Sequence, residues 1–182
     1  MTCIVSYRDQ NKIYIGGDTC AVSGLFVNNR LDPKVFKNKN MLMGYAGSFR
    51  LGQIMRFAFK PPKHEKDKDT YEYMCVDFVK AMQRCLEKNG HAGHNKKEER
   101  EASGQLLVGY KGSLYEIYED YQVGLSAEVF SSIGCGSELA IGAMHALEKM
   151  PKILPEEKLR IALEAAARFN GGVSAPFTIL SI

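Results

Sequence analysis

Residue 2 of the chain is a threonine, and an initiator methionine is normally removed when the side chain after it is small. Removal would leave a hydroxyl and a free α-amine on one residue. A threonine hydroxyl is a poor nucleophile until a base takes its proton. An α-amine, with an ordinary pKa of about 7.7–8.0, can do this near neutral pH without a histidine. Threonine follows Met1 in many proteins, so position alone says little, but two charged residues give Thr2 a chemical setting. Asp18 closes the run IGGDT, and a carboxylate at the end of a strand paired with the first strand can lie beside the N-terminal residue. Lys34, in DPKVFK, sits where a strand edge can carry its ammonium under the threonine. A cation there favours the neutral amine and an alkoxide, and Asp18 would pair with it. Taken singly, each of the two charged residues has an ordinary surface explanation.

Other chemistry finds less support. His91 and His94 are separated by two residues in HAGH, with no carboxylate or cysteine at a tight ligand spacing, so an adventitious surface pair is expected and no metal site. Gly16-Gly17 belongs to neither GxxxxGK[ST] nor GxGxxG, so any nucleotide hydrolysis would belong to another polypeptide, and no cofactor is expected. The five cysteines (Cys3, Cys20, Cys75, Cys85 and Cys135) form an odd set without a CxxC pair, which suits a reduced, cytoplasmic setting. The balance of 24 Lys+Arg against 21 Asp+Glu gives a net charge of +3, too small to argue for nucleic acid or anionic lipid. No apolar run approaches the roughly 18 residues of a membrane span, and the N-terminus lacks a signal-peptide pattern.

The elements that would position these residues follow from periodicity. Thr2–Tyr7 and Lys12–Asp18 read as a hairpin turning at Arg8-Asp9-Gln10-Asn11. Met41–Ala46 reads as a strand that turns at Gly47-Ser48 into a helix running toward Pro61-Pro62. From Asp69 to Asn89, Tyr71, Met74, Phe78, Met82 and Leu86 recur at helical spacing and predict one long amphipathic helix. The polar stretch from Gly90 to Ser103 reads as an exposed loop or solvated helix end. Gln105–Tyr110 and Ser113–Tyr118 form a second hairpin about Lys111-Gly112, and a short strand precedes Gly134. Helices over Ser137–Met150 and Pro155–Phe169 and a strand over Pro176–Ile182 complete the chain. At 182 residues, with 45% hydrophobic and 25% charged composition, the chain suits one domain over 1–182. Hairpins on both sides of the helices disfavour a parallel sheet. They predict an α+β fold with two antiparallel sheets stacked between helical layers.

The segments TCIVSY, KIYIGGDTCAVSG, DPKVF, MGYAGS and SSIGCGSELAIGAMHAL resemble the proteasome β-type and bacterial HslV peptidases, which are N-terminal nucleophile hydrolases. The resemblance spans nearly the whole chain, and Thr2, Asp18 and Lys34 fall in register with the family's threonine, acid and lysine. It implies a four-layer αββα sandwich and, as in HslV, no propeptide beyond Met1. It also implies Thr2 as nucleophile with its own amine as base, Lys34 as charge tuner and Asp18 as its partner. Gly47 matches the glycine whose N–H faces the oxyanion, a place where a glycine lets substrate backbone pass close by. Its other reading, a strand-to-helix turn, can hold at the same time. Ala21, Val22 and Ser23 on one side and Gly47 on the other would be rails for an extended peptide added as a strand. Tyr45 would either shape the pocket beside the scissile bond or serve the core. The implied substrate is polypeptide, held inside a homo-oligomeric ring and supplied by a separate ATPase.

Two positions depart from the family pattern. A serine usually lies between glycines near the nucleophile's amine, where this chain has Gly134-Cys135-Gly136. A thiol is the weaker hydrogen-bond partner, and Cys135 could also be only a small buried residue. The acid and serine that the proteasome branch places before its last strand are replaced by AARFNGGVSAPF, leaving Asn170 as the nearest polar candidate. An amide can orient a hydroxyl or amine but supplies no charge. These departures keep two alternatives open: a catalytically silent scaffold subunit, and an amidase acting on a small substrate.

Overall fold

The computed structural model describes residues 1–91 and 103–182. The chain opens with β1 (Ile4–Asp9) and β2 (Lys12–Asp18), then β3 (Cys20–Ser23), β4 (Phe26–Asn29), β5 (Val35–Asn38) and β6 (Met41–Gly47). Helix α1 (Phe49–Phe57) leads to α2 (Thr70–Tyr73), a π-helical turn over Met74–Phe78, and α3 (Val79–Lys88). Then come β7 (Gly104–Tyr110), β8 (Ser113–Ile117), β9 (Val123–Leu125), β10 (Phe130–Ile133), α4 (Ser137–Glu148), α5 (Pro155–Phe169) and β11 (Phe177–Ser181).

The strands make a four-stranded sheet in the order β10-β1-β2-β11, a five-stranded sheet in the order β5-β6-β7-β8-β9, and a separate β3-β4 hairpin. Every pairing is antiparallel. Period-two alternation assigns each strand face to a different core. Ile4, Ile13, Ile15, Leu42, Ala46 and Leu107 share one cluster between the two sheets. Cys3, Val5 and Tyr14 point the other way and pack with Ala140, Met144, Leu159 and Leu163 of α4 and α5. Met41, Met43, Tyr45, Leu106 and Val108 instead meet Leu51, Met55, Phe78 and Met82 of the first helical layer. Three clusters between four layers make the architecture an αββα sandwich, the α+β arrangement expected from the element order.

Glycine lets the sheets approach near the N-terminus. A Cβ at Gly17 would lie 2.6 Å from Ile4 Cδ1, and one at Gly44 would lie 2.5 Å from Ile4 Cγ2. Helix boundaries follow local signals. The Ser48 hydroxyl accepts from Arg50 N and Leu51 N to start α1, and Pro155 with Glu156 and Glu157 opens α5.

Two features of the first helical layer differ from the sequence reading. The first helix ends at Phe57, short of Pro61-Pro62, with the Ala58 and Phe59 N–H groups both bonding to Ile54 O at 2.9 Å. The helix expected from Asp69 to Asn89 contains the π turn; Met74, Phe78, Met82 and Leu86 face the core as expected, whereas Tyr71 is 43% exposed and Tyr73 takes the buried place instead. Gly90 ends this region as expected, at φ +69°. Most of the polar stretch from Gly90 to Ser103, His94 included, lies outside the described residues.

Candidate active site

Thr2 stands just before β1 and is 3% exposed. Register sets its place: Ile4 pairs with Gly17 on β2 and with Ile133 on β10, so the ends of both neighbouring strands converge on residue 2. The turn after β10 then wraps the N-terminus. Gly136 N–H donates to Thr2 O at 3.2 Å, and a Cβ at Gly134 would lie only 2.4 Å from that same oxygen. Gly134 adopts φ +93°, a left-handed conformation that glycine takes without steric cost.

Lys34, one residue before β5, sends its side chain inward between the sheets, where it is 1% exposed. Its Nζ donates to Thr2 Oγ1 at 2.9 Å, to Asp18 Oδ2 at 2.9 Å, to Cys20 O at 2.6 Å and to Met1 O at 3.2 Å. Asp18, at the end of β2, accepts Cys3 N–H on Oδ1 at 2.9 Å and Cys20 N–H on Oδ2 at 2.8 Å. The carboxylate therefore neutralises the ammonium and is itself locked by two backbone donors. The pair sits beneath one hydroxyl, and that hydroxyl also donates to Met1 O. With Met1 attached, the Thr2 nitrogen is an amide, and its N–H points to Cys135 Sγ at 3.3 Å.

Cys135 is exposed rather than a buried filler, and its thiol reaches Thr2 O at 3.4 Å and Asn170 Oδ1 at 3.6 Å. Asn170, just after α5, donates from Nδ2 to Cys135 O at 2.7 Å and accepts Gly172 N–H at 2.9 Å. Its amide thus braces the Cys135 turn and shows no hydrogen bond to Thr2. Cys3, the residue after the threonine, is fully buried. That burial pushes its thiol up to about 12 and keeps it protonated.

Gly47 ends β6 at φ +99° beside a cleft of about 340 Å³ that also borders Thr2, Gly134, Cys135, Gln105 and Glu119. Any side chain at Gly47 would strike Gly104 Cα at 2.8 Å and Ser103 O at 2.9 Å. Ala21, Val22 and Ser23 lie on β3 and run from half-buried to exposed, as an accessible edge requires. Tyr45 is 3% exposed in the core between β6 and α1, where burial pushes its hydroxyl up to about 12. Its ring lies over Gly52, and a Cβ there would come within 2.1 Å of it.

Several neighbours carried no signal in the sequence. Arg30 forms a two-point ion pair with Asp32, both contacts at 2.7 Å, and stacks over Phe49 at 4.2 Å. Lys34 Nζ lies 5.7 Å from the same ring. Gln105 accepts Gly134 N–H at 3.2 Å, and Glu119 lines the same cleft. No cluster of three or more potential metal ligands exists among the described residues. No helix among them is long and apolar enough to cross a membrane.

Thr2, one residue in from the N-terminus, is thus seated between two antiparallel sheets over a buried lysine, in an αββα sandwich. Comparison of structures narrows the fold. Thiobacillus denitrificans BPH in complex with epoxomicin matches at TM-score 0.82 and 19% identity, covering 100% of this chain and 98% of that one. A eukaryotic HslV from Trypanosoma brucei matches at TM-score 0.69 and 20% identity over 99% of this chain and 98% of that one. The Anbu (Gly-1) mutant from Hyphomicrobium sp. strain MC1 matches at TM-score 0.67 and 14% identity, covering 98% and 80%. The chain has the proteasome β-type, HslV-like fold. No family model matches the sequence, and no curated protein matches it significantly.

Proposed function

We propose that the chain is a threonine-type endopeptidase subunit that hydrolyses peptide bonds of unfolded polypeptides once Met1 is removed. The observation that carries this reading is the 2.9 Å contact of the buried Lys34 ammonium with Thr2 Oγ1, backed by Asp18 at the same distance. The freed Thr2 amine takes the hydroxyl proton as Oγ1 attacks the scissile carbonyl carbon, and the resulting oxyanion lies toward the Gly47 N–H. The α-ammonium then returns the proton to the leaving nitrogen as the C–N bond breaks. The acyl group remains as an ester on Oγ1. Water, deprotonated by the same amine, attacks that ester and releases the acid with the hydroxyl restored.

Extended peptide would add along Ala21, Val22 and Ser23 opposite Gly47, through main-chain hydrogen bonds that tolerate many sequences. Substrate access would be controlled by assembly into a homo-oligomeric ring in the cytoplasm, fed by a separate ATPase. Exposed apolar side chains support a ring: Leu25 and Phe26 on the β3-β4 hairpin are 102% and 69% exposed, and Leu154 beside α5 is 70% exposed.

A silent scaffold subunit is the second reading. It is favoured by Asn170, whose amide is spent on Cys135 O and Gly172 N–H in a place where the resemblance implies a charged partner. Intact mass before and after an epoxyketone or β-lactone probe separates the two. The peptidase reading requires loss of Met1 and one adduct on Thr2 that Thr2→Ala abolishes. Native protein that retains Met1 and takes up no probe supports the scaffold.

A further inference from the structure

We infer that Glu119 forms a subsite for a basic side chain on the leaving-group side of the scissile bond, an inference that rests on the peptidase reading above. The polarity of the site assigns the side. A leaving nitrogen must receive its proton from the Thr2 amine, and the Thr2 nitrogen, with Met1 still attached, faces Cys135 Sγ at 3.3 Å. The departing half of the substrate therefore passes over the Gly134-Cys135 turn, while the acyl half lies along β3. Glu119 and Gln105 border the same cleft as that turn.

Gln105 is fixed against the wall, because its Oε1 accepts Gly134 N–H at 3.2 Å. Glu119, in the connection between β8 and β9, is exposed and is the one charged side chain bordering the cleft among the described residues. The Lys34 ammonium, buried beneath Thr2 and paired with Asp18, does not itself border the cleft. A Lys or Arg entering this cleft gains an attraction across partly screened solvent, and an Asp or Glu meets a repulsion. Partly exposed pairs of this kind change rates by roughly two- to fivefold.

The test uses full-length protein shown by mass to have lost Met1. Peptides identical except for Arg, Lys, Gln or Glu directly after the scissile bond compete in one mixture, and product ratios give relative kcat/KM. Wild-type protein should favour Arg and Lys over Glu by at least two- to fivefold in about 20 mM salt, with the margin shrinking at about 300 mM. Glu119→Gln should level the series and Glu119→Lys should invert it. A Glu119→Gln profile identical to wild type, with cleavage intact, overturns the subsite alone. Wild-type protein that cleaves nothing and takes no epoxyketone on Thr2 overturns the peptidase reading and the subsite with it.

Discussion

Lys34→Met is the most informative perturbation, because methionine keeps an unbranched, flexible side chain one heavy atom shorter and removes its charge and donors. With Met1 attached the ammonium lies within hydrogen-bond distance of four acceptors, and the three that remain once Met1 is lost, Thr2 Oγ1, Asp18 Oδ2 and Cys20 O, match its three N–H donors. Lys34 and Asp18 side chains are 1% and 0% exposed, so the substitution leaves a carboxylate in the interior without its counter-charge. Breaking such a pair costs about 3–5 kcal/mol. The loss here should fall near ~3 kcal/mol, because Asp18 keeps the N–H groups of Cys3 and Cys20. Adding Asp18→Asn removes the stranded charge and should recover roughly 1–2 kcal/mol. Urea titration of the Met1-free protein measures these stabilities. Epoxyketone labelling of Thr2, followed by intact mass, measures the site. Neither variant should label, even where the double variant is fully folded. A single-variant loss below about 1 kcal/mol would refute the buried-pair energetics. Labelling of the folded double variant at the wild-type rate would refute the role of the ammonium beneath the hydroxyl.

Gly47→Ala should destabilise by ~1–3 kcal/mol in urea titration, since φ is +99° and the added Cβ would meet Gly104 Cα at 2.8 Å. Stability should also fall in alkali. Cys3 is held near 12 by burial against an ordinary value of 9.0, so its contribution is complete below pH 9 and is lost as pH rises toward 12. Over that window the slope is about 1.4 kcal/mol per pH unit, and Cys3→Ala should flatten it in melts between pH 9 and 10. Cys135→Ser places a stronger hydrogen-bond partner by the Thr2 nitrogen, so the rate of epoxyketone labelling should rise a few-fold near neutral pH. An unchanged rate would show that the thiol does not bear on the amine.

Much of this was legible from residue type and period. The β1-β2 and β7-β8 hairpins read as β-branched and aromatic runs around turn residues because each strand has one face on the inter-sheet core and one on a helical layer, so apolar side chains serve both faces. The β3-β4 hairpin gave no such signal: all four residues of β4 are exposed, so nothing forces an in-out pattern. The π turn was equally silent, since Met74 and Phe78 suit an ordinary helix at the same spacing. At the site, Thr2, Asp18 and Lys34 stood out because their chemistry is complementary. The acceptor at Cys20 is a backbone carbonyl and leaves no trace in side-chain type. Gln105, Glu119 and the Arg30–Asp32 pair are polar residues at loops or strand ends, where periodicity carries no information. Asn170 was readable as a neighbour of the site, but its partner proves to be Cys135, a bracing contact that only the path of the chain after α5 defines.

The buried pair also bears on the choice between peptidase and scaffold. Taking two charges out of water costs several kcal/mol per ion, and well-packed apolar residues of similar volume are often equal or better for stability. A subunit whose task is only to hold a ring together gains little from an ammonium buried between its sheets. It gains nothing from aiming that ammonium at the hydroxyl of residue 2. The arrangement makes sense if the oxygen must carry developing negative charge, because a preorganised cation then lowers the energy of the alkoxide without reorganisation at the moment of attack. Asp18, locked by two backbone N–H groups, keeps the ammonium in place and confines its field to the neighbouring oxygen. A scaffold would need a different reason to retain all three side chains at these distances, and the Lys34→Met, Asp18→Asn double variant is where that reason would become visible.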